Sequence, residues 1–109
     1  MELSLRRSAV GAQQVLSVSG DIDVATLPRF ADSITRLLSD AIGSIVVVDL
    51  DGAQSFDDAA LGLLLGAAGK ARTAGGDVVV VCTEPRLRER LMITGFDKAV
   101  IVRHSIAAP

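Results

Sequence analysis

A chain of 109 residues, half of them hydrophobic, has room for one compact domain around one core and for little else. Its 11 basic and 13 acidic residues give a net charge of -2, without the basic excess that a phosphate backbone demands, so nucleic acid is excluded as an expected partner. Aromatics make up 3%, with neither Trp nor Tyr, so the core must be aliphatic and no aromatic platform exists for stacking bases. The lone Cys82 rules out an internal disulfide and a Cys-rich zinc site. The N-terminus alternates Leu3 and Leu5 with Glu2, Arg6 and Arg7 and does not read as a signal peptide. The longest apolar run, residues 59–69, is about half of what a bilayer requires. The expectation is one cytoplasmic domain over residues 1–109, not inserted in a membrane, with its last few residues frayed.

Residues 2–6 and 14–19 alternate at period two on either side of Gly11 and predict a hairpin with one solvated face. Gly20-Asp21-Ile22-Asp23 leads into a helix. Asp23 is the expected N-cap, Leu27, Phe30, Ile34, Leu37 and Leu38 recur at helical spacing, and Pro28 must fall in the first turn. Gly43 ends that helix. Residues 45–50 and 78–82 are continuous β-branched runs, as in parallel strands covered on both faces. Between them residues 58–73 predict a second helix, closed by Gly75-Gly76. A third begins at Thr83-Glu84-Pro85, carries Leu87, Leu91 and Met92, and ends at Gly95 before a last strand over residues 99–102. The order β-β-α-β-α-β-α-β predicts an α/β domain with a mixed, mainly parallel sheet of about five strands. Strand order is not legible at this stage.

Several of these segments together resemble the STAS family, the anti-sigma factor antagonist domains. Gly20-Asp21-Ile22-Asp23 is similar to the family's approach to the first helix, Val47-Val48-Asp49-Leu50 to its central strand, and Thr94-Gly95-Phe96-Asp97-Lys98 to the segment before its last strand. The family's loop pattern is Asp-Ser-Ser-Gly-Leu-Gly, and this chain has Asp57-Asp58-Ala59-Ala60-Leu61-Gly62. In such antagonists the second Ser is phosphorylated by a partner anti-sigma factor that is also a kinase, and only the unphosphorylated form binds that partner. Ala59 stands at that position and cannot be phosphorylated. The resemblance therefore implies a divergent antagonist, with Asp57, Asp58, Ala59, Ala60 and Gly62 of the loop as partner-binding residues, to which the small residues of the following helix add Gly66, with no cofactor and with an anti-sigma factor of kinase-like ATP-binding fold as partner. Whether it forms a homodimer is left open.

The residues carry meaning of their own. A helix start presents unpaired N–H groups and a partial positive charge, so Asp57 and Asp58 suit capping, and Asp58 suits a constant substitute for a phosphate. Ala59, Gly62, Gly66, Gly69 and Thr73 fall on one stripe of the second helix, beside a bulkier stripe of Leu61, Leu64, Leu65 and Ala68 expected to face the sheet. The small stripe predicts close approach of another backbone, either a neighbouring helix of the same domain or a docked protein.

Cys82 is expected in the core, and His104 has no second His or Cys with which to share a metal. Arg86, Arg88, Glu89 and Arg90 read as the solvated face of the third helix, and Ser55 as a turn residue with a hydroxyl near the loop. No catalytic triad, P-loop, dinucleotide fingerprint or metal spacing occurs, so an enzyme is not expected. Beside the antagonist reading stand two others: an accessory STAS subunit of a transporter ATPase or signalling scaffold, and a small nucleotide-binding domain using the helix amides at the loop.

Overall fold

The computed structural model describes residues 2–106. Five strands form one sheet in the order β1-β2-β3-β4-β5: Ser4–Val10, Gln13–Ile22, Ile45–Phe56, Asp77–Val81 and Ile101–Arg103. The first two make the expected antiparallel hairpin about Gly11, and every later pairing is parallel. The helices are α1 (Leu27–Asp40), α2 (Asp58–Thr73), α3 (Pro85–Ile93) and a short α4 (Phe96–Ala99). The expected order holds, with α4 added. Gly95 has φ 76°, a left-handed turn that starts α4, so the last strand begins at Ile101 rather than at residue 99.

Two boundaries move for physical reasons. Asp23 does not cap α1. Its carboxylate accepts from the Thr26 amide at 3.0 Å while the Thr26 hydroxyl accepts from the Asp23 amide at 3.0 Å, a closed turn that sets the chain into a helix capped at Thr26. Pro28 falls in the first turn, as its missing N–H requires. β3 runs on six residues past Leu50 because its far half stays paired with the end of β2, as in Asp21↔Ser55 and Ile22↔Phe56.

The topology fixes the layers. Each parallel connection steps one strand in the same direction, and right-handed crossovers of that kind put all their helices on one face. Phe30, Ile34 and Leu37 of α1, Leu61 and Leu64 of α2, Leu87 and Leu91 of α3 and Phe96 of α4 all share one core cluster with Leu16, Val46, Val48, Val78 and Val80. Full burial of each such side chain contributes about 1.5–3 kcal/mol. The opposite face holds a row of Val15, Val47, Val79 and Val81, also buried, against which Ile106 packs. The valine runs are thus buried on both faces, but no helix contributes to the second cluster among the described residues. The expected fraying of the last few residues lies outside the described residues.

Candidate docking site

The site is built where β3 hands over to α2. Phe56, the last strand residue, is buried and meets Phe30 of α1 edge-on, with ring centroids 6.1 Å apart. Such a contact adds about 0.5–1.5 kcal/mol to the burial itself and anchors the strand end. The Asp57 amide donates to Ile22 O at 2.9 Å, tying the junction to β2. Its carboxylate accepts from the Ala59 amide at 2.8 Å, which makes Asp57 the N-cap of α2. Ser55, just upstream, donates its hydroxyl to Asp21 at 3.0 Å.

Asp58 projects into solvent from the first turn, with its side chain 84% exposed. The constant carboxylate expected at this position has a partner. The guanidinium of Arg90, reaching over from α3, pairs with Asp58 and also donates to the Phe56 carbonyl. Arg90 is only half-exposed and does not belong to a purely solvated face. Arg88 likewise turns inward, donating to Cys82 O at 2.8 Å, whereas Arg86 and Glu89 are exposed. A charge standing in for phosphate at this entrance therefore has a cation beside it. The strand order brings the two side chains together. In a parallel α/β sheet the β3–α2 and β4–α3 junctions lie side by side, and Arg90 sits one turn after Arg86, beside Leu91, which is buried.

Ala59, Gly62, Gly66, Gly69 and Thr73 all lie on the exposed side of α2. A Cβ built on Gly62, Gly66 or Gly69 would meet nothing within 4 Å. The small stripe does not accommodate a neighbouring helix of this domain, so the intramolecular reading fails. Ala60, by contrast, is fully buried and contributes packing rather than surface. The face turned to the sheet is Ala60, Leu61, Leu64, Ala67, Ala68 and Ala71, and Leu65, expected there, is 40% exposed instead.

Beside the junction a cleft of about 650 Å³ opens at the carboxyl ends of β2 and β3, bordered by Asp23, Asp51, Asp57, Glu84, Arg86 and Arg90. Its carboxylates are already engaged by the chain itself. Asp51 accepts from the Thr83 amide and hydroxyl, Glu84 caps α3 through the Leu87 amide, and Asp57 caps α2. Cys82, expected to close the neighbouring strand, instead follows β4 directly and is fully buried, and burial, helped by the charge of Asp51, holds its thiol above the ordinary range. His104 is exposed near the other end of the described chain. No helix among the described residues is long and apolar enough to cross a membrane.

The profile of the STAS domain family matches residues 7–108, nearly the whole chain. The chain belongs to the STAS family. Solved structures share the fold of this STAS domain at low sequence identity. An anti-sigma factor antagonist from Mycobacterium paratuberculosis superposes with a TM-score of 0.84 at 24% identity, covering 96% of this chain and 88% of that one. The unphosphorylated anti-sigma factor antagonist SpoIIAA gives 0.74 at 14% identity, covering 94% and 90%. An anti-sigma-factor antagonist (STAS) domain protein from Planctomyces limnophilus gives 0.75 at 17%, covering 90% and 87%. No curated protein matches the sequence.

Proposed function

We propose that this STAS domain is an anti-sigma factor antagonist that binds an anti-sigma factor of kinase-like ATP-binding fold and so frees the sigma factor. The observation that supports this best is the exposed face of α2, where Ala59, Gly62 and Gly66 form a flat strip with open space above it, beside an ordered helix entrance. Interfaces at which backbones approach closely need small residues, and a strip with no neighbour in its own domain is free to supply them. Asp57 would hold the entrance in shape, and the Asp58–Arg90 pair would present a charged rim. Because Ala59 has no hydroxyl, binding is not switched by phosphorylation at that position.

The test is affinity capture against the anti-sigma factors of its own cells, with and without ATP, comparing the native chain with Ala59→Ser and Ala59→Glu. The expected result is a stoichiometric complex that ATP does not dissolve, made ATP-sensitive by Ala59→Ser and weakened by Ala59→Glu. Recovery of no anti-sigma factor by the native chain overturns the reading.

A further inference from the structure

Next to the proposed docking strip, α1 and α2 enclose an apolar groove of about 440 Å³. Its floor and walls include Ile34, Leu38, Ile42, Leu63, Gly66 and Ala67. Ile42 is 73% exposed, a large apolar side chain standing at the groove's end with nothing to cover it. Lys70 is the only charged residue lining the groove, and it has no ion-pair partner among the described residues. Gly66 belongs both to the groove and to the exposed strip, so the two surfaces are continuous.

We infer that this groove receives an amphipathic helix of the same protein partner, with large apolar side chains along one face and a carboxylate placed to meet Lys70. The inference rests on the reading of this chain as a protein-binding antagonist. Three features select that occupant. The groove follows α1 from Ala31 to Ser39, about two turns or roughly 12 Å, and continues past the helix end to Ile42, a length over which a docked helix sets apolar anchors at i, i+3, i+4 and i+7. It lies between two helices, where a third packs at an interaxial distance of about 8–10 Å, and the missing side chain of Gly66 lowers one wall. Its single unpaired charge is positive, so an acidic residue on the occupant is attracted where a basic one is repelled.

Calorimetric titration of the captured anti-sigma factor into purified variants tests this. Ile42→Asp and Gly66→Phe alter the groove at exposed positions without touching the core, and circular dichroism with urea unfolding confirms that each is folded. Each is expected to weaken binding about tenfold, the loss typical of a buried interface anchor. Lys70→Glu is expected to weaken it several-fold, with a smaller loss at high salt. Wild-type heat capacity change on binding should be more negative than that of Ile42→Asp, because apolar surface leaves water. If the native chain binds and the Ile42 and Gly66 variants bind within twofold of it, the groove is not used and the inference fails alone. If the native chain binds no anti-sigma factor, the functional reading fails and takes this inference with it. Should the native chain instead dimerise in sedimentation equilibrium, with Ile42→Asp abolishing the dimer, the occupant is a second copy and the inference is overturned.

Discussion

Arg90 joins two elements at the proposed docking face, and its two contacts differ in weight. The pair with Asp58 is open to solvent and contributes little, about 0–1 kcal/mol. The bond to the Phe56 carbonyl is partly buried and satisfies an acceptor at the strand end, contributing about 1–2 kcal/mol. Arg90→Ala should therefore lower stability by about 1–2 kcal/mol in urea unfolding, while Asp58→Asn lowers it by less than about half a kcal/mol. Equal, small losses in both variants would show that the carbonyl contact stabilises nothing. Cys82 gives a second test at this scale. Burial raises its thiol's pKa in the folded protein above that of the unfolded chain, where it is ordinary, near about 8.5. The folded state then holds a proton that the unfolded state releases. The resulting stabilisation is complete below the unfolded pKa and is lost progressively as pH rises through the folded one. Unfolding measured from pH 7 to 10 should show a steeper alkaline loss for the wild type than for Cys82→Val, and the native thiol should resist modification at pH 8.

At the scale of elements, α2 is a helix that forgoes propensity on one side. Gly62, Gly66 and Gly69 each cost it about 0.5–1 kcal/mol relative to Ala, and none is required by contacts within the domain. Gly62→Ala and Gly69→Ala should each raise stability by about 0.5–1 kcal/mol in thermal or urea unfolding. Gly76 is the opposite case. Its Cβ would stand 2.2 Å from the Ser44 carbonyl oxygen, where β4 begins beside the chain leading into β3. Gly76→Ala should cost about 1–3 kcal/mol, and a stable variant would contradict that close approach.

The element order was legible because the valine runs and the helical spacing of Phe30, Ile34 and Leu37 are strong local signals. The position of α2 and its capping by Asp57 were legible for the same reason. What escaped was set by contacts between distant segments. The far half of β3 is a strand only because β2 runs beside it, and Arg90 finds Asp58 only because two junctions are neighbours in the sheet. The side taken by Leu65 was ambiguous, since Leu61, Leu64 and Leu65 span more of the helix circumference than the alanines opposite need for packing.

The whole molecule is asymmetric, and the asymmetry separates two surfaces. A strand order that advances in one direction puts all the helices on one face, so the proposed docking strip and the α1–α2 groove share a single layer. The opposite face has to bury its valine row by other means. Ile106 packs there against Val15, Val47, Val79 and Val81, in a cluster separate from the main core. Removing that contact should therefore act on this face without disturbing the helical one. Ile106→Asp would place a charge against buried valines and expose apolar surface, costing about 1–3 kcal/mol. Urea unfolding should show the lower midpoint, and sedimentation velocity should show self-association through the uncovered row. With docking through the helical layer as proposed, partner affinity should stay within about twofold of the wild type once folded protein is compared at equal concentration. If affinity falls in parallel with stability, the two faces are coupled and the docking layer is not independent of the sheet's far side.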